Sequence, residues 1–221
     1  MSTESQFSIF KLRVFSSAVI AILFLSSLLY IRFLFYILMT ILAIGMIMEW
    51  LNMCWKNLSL IALGFFVILV PIICLMIMHT RLEYSLTLVS YFLMIWCTDV
   101  FAMLGGKYFQ GPKLASRISP NKTWSGLICG MSTSGLIALI LYVTACDQAL
   151  MHKINSYWCA FSFGATIAIV AQLSDLFVSY FKRKANIKDS GNIIPGHGGI
   201  LDRFDSIIFS APLFFMLVMI L

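Results

Sequence analysis

Residues 179–205 read SYFKRKANIKDSGNIIPGHGGILDRFD, a polar stretch in a chain that is otherwise strongly apolar. The stretch holds five basic side chains, three aspartates, one histidine and four glycines. Keeping so many charges next to hydrophobic segments is costly unless they are paired or bind something. Phosphate groups together with a divalent cation fit this set of side chains best. The stretch therefore predicts that the hydrophobic segments are arranged around a polar binding site.

The composition is that of an integral membrane protein. The 221 residues are 61% hydrophobic and 11% charged, with a mean hydropathy of +0.98. Ordinary soluble domains are about half apolar and about a quarter charged. The six cysteines are scattered through apolar segments without the spacing of a zinc site or a redox pair, which argues against both.

Seven apolar runs predict seven transmembrane helices, since a helix needs about 20 residues to cross a bilayer. The first run is long for a signal peptide and no A-x-A cleavage site follows it, so we expect it to be retained. The last run has only 15 residues and is expected to borrow Asp205 and Ser206 or to thin the bilayer. The predicted fold is all-α, a polytopic membrane protein of about seven helices that forms a single transmembrane catalytic domain over residues 1–221. The predicted spans are Val14–Ile31, Phe33–Leu51, Leu58–Met78, Ser85–Leu104, Trp124–Ala145, Ser156–Tyr180 and Ile207–Leu221.

The basic residues predict the orientation of these spans. With the N-terminus in the cytoplasm, twelve lysines and arginines face inward and only Arg32, Arg81 and Lys153 face outward. Cytoplasmic loops carry such an excess of positive charge. The twelve are Lys11, Arg13, Lys56, Lys107, Lys113, Arg117, Lys122, Lys182, Arg183, Lys184, Lys188 and Arg203. Both polar, glycine-containing stretches of the chain are therefore expected at the cytoplasmic face.

Three carboxylates are candidate metal ligands. Asp175 precedes Ser179 and Lys182 by four and seven residues, so the three share one face of a helix. Asp202 and Asp205 are three residues apart and share a face in the same way. Converging carboxylates repel each other unless a cation neutralises them, and oxygen ligands select hard cations such as Mg²⁺. The alternative is that these aspartates pair with Lys182, Arg183 and Arg203. The neighbouring glycines and the position of Asp175 at membrane depth favour metal binding.

The glycine cluster at residues 196–199 can adopt backbone angles that other residues avoid. Successive backbone N–H groups there can form a concave site for an anion. His197 lies within the cluster, but a general base is not needed, because a phosphate monoester has a second pKa of about 6 and is already an oxyanion at neutral pH. We expect His197 to donate a hydrogen bond to phosphate or to fix the loop, and a purely structural role remains open.

A second polar stretch, residues 105–126, reads GGKYFQGPKLASRISPNKTWSG. Its basic residues Lys107, Lys113, Arg117 and Lys122 could hold a triphosphate or a lipid phosphate. The alternative is simple attraction to anionic lipid, worth about 1 kcal/mol per basic residue. For Lys113 and Arg117 this alternative stays open, whereas phosphate binding is favoured for Lys122.

Both stretches resemble one protein family. The first resembles the signature of the phosphatidate cytidylyltransferases, or CDP-diacylglycerol synthases, in residue types and in spacing. The second resembles another stretch of the same family, in which an aspartate, here Asp99, precedes a glycine pair, a basic residue and the sequence SPNKTW-G. Met103 and Leu104 depart from the more polar or aromatic residues that relatives often have. The positions that carry the first match are Ser179, Lys182, Arg183, Lys188, Asp189, Gly191, Pro195, His197, Gly198, Gly199, Asp202, Arg203 and Asp205.

The resemblance implies that CTP and phosphatidate react to give CDP-diacylglycerol and pyrophosphate. It implies a Mg²⁺ ion on Asp175, Asp202 and Asp205, with Lys182 as a further catalytic residue. It also implies a second, monovalent cation and a homodimer. The implied location is the cell inner membrane, with contacts to membrane lipid and none to nucleic acid. The residues implied in phosphate binding are Lys122, Ser179, Arg183, Lys188, His197, Gly198, Gly199 and Arg203.

Two other functions remain open from the residues alone. One is a membrane nucleotidyltransferase or phosphotransferase that acts on another lipid phosphate. The other, of a different class, is a cation transporter that uses Asp99 and Asp175 as intramembrane ligands. A transporter needs polar groups through both halves of the membrane, whereas here the polar residues crowd towards one face.

Overall fold

The computed structural model describes residues 22–54, 57–81, 85–144, 154–191 and 198–220. Helices and one small sheet account for most of these residues, and residues 22–29 are also helical. In chain order the elements are α1 (Arg32–Cys54), α2 (Leu58–Thr80), α3 (Ser85–Phe109), β1 (Lys113–Ala115), β2 (Ser119–Thr123), α4 (Trp124–Thr144), α5 (Tyr157–Lys184), α6 (Leu201–Phe204) and α7 (Ile207–Ile220).

Six helical segments of the described chain are long and apolar enough to cross a membrane. They are α1 to α5 and the combined segment Leu201–Ile220, which contains α6 and α7. The expected all-α, multi-pass membrane architecture is confirmed. Residues 14–21 of the first expected span, Val14–Ile31, lie outside the described residues, and residues 22–29 of that span are helical.

Side-chain caps set the start of two helices. Asn57 Oδ1 accepts hydrogen bonds from the backbone N–H groups of Ser59 at 3.0 Å and Leu60 at 3.3 Å, and so starts α2. Ser156 Oγ accepts from the N–H of Trp158 at 3.3 Å and starts α5. Each cap satisfies backbone donors that the first turn of a helix leaves without partners. Helix α5 runs to Lys184, four residues beyond the expected Tyr180, so Lys182 lies on a helix.

The sequence predicts a loop between the spans Ser85–Leu104 and Trp124–Ala145. In the structure this second polar stretch is partly helix and partly hairpin. Helix α3 continues to Phe109, and an antiparallel hairpin of β1 and β2 follows it. Gly105 and Gly126 serve close contact between α3 and α4. A Cβ atom on Gly105 would lie 2.4 Å from Cys129 Sγ, and one on Gly126 would lie 2.5 Å from the Ala102 carbonyl oxygen. Gly105 and Gly126 are therefore needed for the packing of α3 against α4. This packing role could not be predicted from the local sequence.

The last span is longer than its apolar run because it begins before Asp205. Helix α6 leads into α7, and Asp205 has helical backbone angles of −60° and −35°. Ser174 of α5 supports this junction, since its hydroxyl donates to the Asp205 carbonyl oxygen and accepts from the N–H of Phe209 at 3.2 Å. The expectation that Asp205 and Ser206 extend the last span is confirmed.

A cluster of buried side chains packs α1, α2 and α5 together beneath the polar stretch. Trp50 of α1 is its largest member, and its indole N–H donates to the Leu60 carbonyl oxygen at 2.8 Å. A Cβ atom on Gly64 would lie 2.0 Å from the Trp50 ring, so α2 presents a bare backbone to the indole. This packing fixes the end of α1 against the helices that carry the charged residues.

Candidate functional site

Two ion pairs join the polar elements at one end of the helices. Lys122 of β2 lies 2.6 Å from Asp175 of α5, measured from Nζ to Oδ2. Lys182, two turns further along α5, lies 2.7 Å from Asp202 of α6, measured from Nζ to Oδ1. The two predicted polar stretches are therefore brought to the same helix, one on each side of Ser179.

Asp175 is the more open of the two carboxylates. Its Oδ1 accepts a hydrogen bond from the Ser179 hydroxyl at 3.3 Å, which confirms the expected shared helix face. Lys122 also donates to the Gln172 carbonyl oxygen at 3.3 Å. The side chains of Lys122 and Asp175 are 16% and 24% exposed, so both can meet a ligand without prior unfolding.

Asp202 is more enclosed, and both of its carboxylate oxygens accept hydrogen bonds. Beyond Lys182 on Oδ1, its Oδ2 accepts the backbone N–H groups of Ser190 at 2.9 Å and Gly199 at 3.1 Å. The Lys182 and Asp202 side chains are 9% and 12% exposed. The alternative that the aspartates pair with basic residues therefore holds for Asp202, which pairs with Lys182. This ion pair connects α5 to α6.

Two further carboxylates lie next to Asp175. Asp99 of α3 accepts a hydrogen bond from Gln172 Nε2 at 3.1 Å on Oδ1 and from the Ser206 hydroxyl at 3.3 Å on Oδ2. Asp205 is buried and lies within electrostatic range of both Asp99 and Asp175. Helices α3, α5 and the start of the last span therefore each contribute one carboxylate to a single acidic cluster.

Carboxylate oxygens are the ligands that a hard divalent cation prefers, and this cluster offers those of Asp99, Asp175 and Asp205. Of the three, Asp175 is the one with a described lysine partner, Lys122. Within the described ranges no group of three or more His, Cys, Asp or Glu side chains is arranged to hold a metal by itself. Mg²⁺ does not need such a group, because it usually takes one or two carboxylates together with substrate phosphates and waters.

A cavity of about 860 Å³ opens beside Asp175 and Lys122. Small-molecule sites have volumes of about 300–1,000 Å³, so its size suits a nucleotide or a lipid headgroup. Three lysines, two aspartates and apolar side chains of α3 and α4 line it. The charged lining residues are Lys107, Lys113, Lys122, Asp99 and Asp175, and the apolar ones include Ala102, Met103 and Leu127.

Among the described residues predicted to bind phosphate, Lys122 lines the cavity. Lys107 and Lys113 join Lys122 there, as the phosphate interpretation of the second stretch requires, whereas Arg117 is not among the lining residues. Arg183 turns to the hairpin instead: its Nε donates to the Ile118 carbonyl oxygen at 3.1 Å and its Nη1 to that of Ile187 at 3.1 Å.

The remaining predicted residues lie apart from the cavity lining or outside the described residues. Lys188 and Arg203 are exposed at the surface. His197 lies outside the described ranges, so its role stays a prediction. Gly198 has a positive φ of 81°, the left-handed region that favours glycine.

The backbone amides around Gly199 are directed at carboxylates of the protein itself. The N–H of Gly199 donates to Asp202, and those of Ile200 and Leu201 donate to Glu49 at 2.9 and 2.8 Å. The expectation that these N–H groups form one concave anion site stays a prediction. The described amides bind side-chain carboxylates, and a phosphate role for Gly198 and Gly199 stays a prediction.

Glu49 is the site residue that sequence reasoning missed. It lies in α1, is 2% exposed, and falls within the predicted span Phe33–Leu51, where the sequence analysis gave it no role. One signal could have found it: an ionisable residue inside an apolar span is expensive, and it is kept only where it has partners or a function.

The sequence of this chain is similar to those of known proteins. A sequence model described as the cytidylyltransferase family matches residues 55–221. A Rickettsia typhi protein named phosphatidate cytidylyltransferase is 47% identical over 204 residues, which cover 92% of this chain and 90% of that protein. A Rickettsia bellii protein of the same name is 43% identical over 98% of this chain and 94% of its own length. A Brucella abortus protein of that name is 38% identical over 59% of this chain and 46% of its own.

Proposed function

The chain belongs to the cytidylyltransferase family, and from this premise we propose that it transfers the cytidylyl group of CTP to phosphatidate. The family resemblance and the enzyme class expected from the sequence are confirmed. The observation that carries the proposal is the identity of 43–47% to proteins named phosphatidate cytidylyltransferase over more than nine-tenths of the chain. The products are CDP-diacylglycerol and pyrophosphate.

The cavity beside Asp175 supports a nucleotide site. Lys107, Lys113 and Lys122 offer three ammonium groups to a triphosphate, and their positive charges suit its phosphate oxygens. The apolar side chains of α3 and α4 line the same cavity, next to helices that are apolar enough to lie in lipid. Phosphatidate cannot leave the membrane and CTP cannot enter it. A cavity lined by both charged and apolar side chains therefore suits the two substrates.

The reaction is an in-line displacement at phosphorus. A non-bridging oxygen of the phosphatidate monoester forms a bond to the α-phosphorus of CTP. The bond from that phosphorus to the bridging oxygen of the β-phosphate breaks, and pyrophosphate leaves with the electron pair. Phosphoryl transfer is promoted mainly by positioning and by stabilisation of charge. Lys122 and Lys182 are the basic residues nearest the carboxylate cluster, and we assign them to the phosphate oxygens.

Mg²⁺ is part of the same proposal. Asp175 and Asp205 would hold it together with substrate phosphates, and Asp202 would join them if it gave up one of its present donors. Bound there, the ion would neutralise charge on the phosphates. A second, monovalent cation and a homodimer rest on the family resemblance alone.

We place the site at the cytoplasmic face of the cell inner membrane. Helices α1, α3 and α5 end, and α2, α4 and the last span begin, near the polar elements, so successive spans alternate in direction. The described basic residues Lys107, Lys113, Lys122, Lys182 and Lys184 then fall on one side, as the positive-inside rule requires.

Labelling of introduced cysteines tests this orientation. In a variant without the native cysteines, we expect cysteines at Lys113 and Lys184 to react with an impermeant reagent only after the cytoplasmic side is exposed. A cysteine at Arg81, the exposed end of α2, should react in intact cells. Reaction of positions 81 and 113 from the same side would contradict the proposed orientation.

An assay of purified protein with labelled CTP and a panel of lipid acceptors tests the activity. We expect CDP-diacylglycerol from diacyl phosphatidate, with release of pyrophosphate that depends on both substrates. Product from a polyprenyl phosphate but not from phosphatidate would overturn the lipid assignment. Absence of any CTP-dependent product, with Mg²⁺ uptake into vesicles instead, would favour the transporter alternative.

A further inference from the structure

Glu49 holds three donors from two separate parts of the polar stretch. Its Oε2 accepts the Ser190 hydroxyl at 2.6 Å and the Leu201 N–H at 2.8 Å, and its Oε1 accepts the Ile200 N–H at 2.9 Å. Both oxygens of this buried carboxylate are therefore used. The donors come from each side of residues 191–199, so one side chain of α1 joins the two ends of that segment.

Asp202 makes the parallel set of bonds from the other side. Its Oδ2 accepts the backbone N–H groups of Ser190 and Gly199. Ser190 thus gives its N–H to Asp202 and its hydroxyl to Glu49. Because Ile200 and Leu201 immediately precede Asp202, the bonds from Glu49 to their amides also fix the backbone that carries the Asp202 side chain.

The glycines of the signature leave room for Glu49. A Cβ atom on Gly191 would lie 2.6 Å from Glu49 Oε1, and one on Gly199 would lie 2.5 Å from Oε2. Contacts under 3.0 Å require the carboxylate or the backbone to move. The side chain of Ile200 also packs so closely on α1 that a Cβ atom on Gly45, one turn before Glu49, would lie 2.4 Å from it.

The environment of Glu49 differs from that of Asp175 and Asp202. Asp175 and Asp202 each pair with a lysine, whereas the described partners of Glu49 are two backbone amides and a hydroxyl. It is not among the residues that line the cavity. It also lies outside residues 55–221, the part of the chain that matches the cytidylyltransferase family model.

We propose that Glu49 is a positioning residue that joins Ser190 to Ile200 and Leu201 and thereby sets the place of Asp202 and Lys182. This role rests on the proposed function of the site, but the contacts it depends on can be tested without substrate. A buried donor that loses its acceptor is destabilising, so the loss of this acceptor should loosen the backbone at residues 199–202 markedly.

Hydrogen–deuterium exchange of the purified protein tests the contacts. In Glu49→Gln an NH₂ group replaces one carboxylate oxygen and cannot accept a hydrogen bond, so at least one of the two backbone amides, that of Ile200 or that of Leu201, loses its acceptor. We expect exchange at the amides of residues 199–202 to be about 10-fold faster or more, since about 1.4 kcal/mol corresponds to tenfold. Exchange in α3 and α4 should be unchanged. Met48→Leu is the matched control, because Met48 is the exposed neighbour of Glu49 in α1.

Kinetics then separate positioning from a merely structural role. For Glu49→Gln we expect kcat to fall about 10-fold or more while KM for CTP stays within about threefold, because Glu49 does not line the cavity. Ser190→Ala removes one of the three donors and should give a smaller fall in kcat. Unchanged exchange at residues 199–202 would overturn the contacts, and faster exchange with unchanged kcat would overturn the positioning role.

The two proposals fail in different ways. If the wild-type protein forms no CTP-dependent lipid product, the proposed function is wrong. The exchange experiment still decides whether Glu49 holds the backbone of residues 199–202. If wild type is active and Glu49→Gln matches it in kcat, only the inference about Glu49 is wrong. Should Glu49→Gln not fold, Ser190→Ala carries both measurements, and equal kcat and exchange in that variant would overturn the proposal.

Discussion

Asp175→Asn is expected to lower CTP-dependent turnover by at least about 100-fold, the loss typical of a missing charge-stabilising group in an active site. Asparagine keeps the size of the side chain and can still accept from the Ser179 hydroxyl. It removes the negative charge that holds Lys122 at 2.6 Å and that we propose as a ligand of Mg²⁺. The measurement is product formation by purified protein over a range of Mg²⁺ concentrations, and added Mg²⁺ should not restore the wild-type rate.

The control for Asp175→Asn is Asp147→Asn, the same chemical change in the sequence between α4 and α5, a stretch expected on the opposite side of the membrane from Asp175. Both variants should reach the membrane in wild-type amounts, and only Asp175→Asn should lose activity. Activity of Asp175→Asn within a few-fold of wild type would remove this residue from the site. The proposed place of the reaction beside the 860 Å³ cavity would then be wrong.

Lys182→Gln is expected to lower turnover by about 10- to 100-fold, because a charged hydrogen bond is worth about 1.5–3 kcal/mol and a tenfold change in rate is about 1.4 kcal/mol. The variant leaves Asp202 without its cation in an enclosed position, 12% exposed. It also removes the ammonium group that we assign to substrate phosphate. Lys182→Arg should restore activity only in part, since the planar guanidinium presents its charge differently.

Salt separates this enclosed pair from a surface effect. Charges that face solvent are screened over about 10 Å at 0.1 M salt, whereas enclosed pairs are screened much less. The loss in Lys182→Gln should therefore persist at high ionic strength. Lys184→Gln is the matched control, because Lys184 is exposed two residues further along α5 and does not line the cavity beside Asp175. Equal losses in both variants that salt abolishes would show that Lys182 acts only as a surface charge.

Much of the fold followed from hydropathy because lipid imposes a simple constraint. A span needs about 20 apolar residues whose backbone groups are satisfied within the helix, so apolar runs mark helices. Helices α1 to α5 lie where those runs predicted them. The errors fall where polarity changes before the helix ends: α3 continues through Gly105 and Gly106 to Phe109, and α5 continues through Lys182 to Lys184.

The sequence also revealed the family and supplied the hypothesis about its chemistry. Charges, glycines and their spacing in residues 179–205 and 105–126 predict binding of phosphate and a hard cation. Local spacing placed Ser179 on the face of Asp175, and the structure confirms that contact at 3.3 Å. Relations of this kind depend only on the 3.6-residue period of one helix.

Only the tertiary structure decided which partners these residues have, because the partners come from distant parts of the chain. Lys122 reaches Asp175 across 53 positions and Ser190 reaches Glu49 across 141, so no helical period links them. The same distance explains why Glu49 was missed: its three donors become visible only when α1 packs against the polar stretch. Sequence thus determined the spans and the chemical types of the site, and packing decided which carboxylate faces a lysine, which faces backbone amides, and which lies open to the cavity.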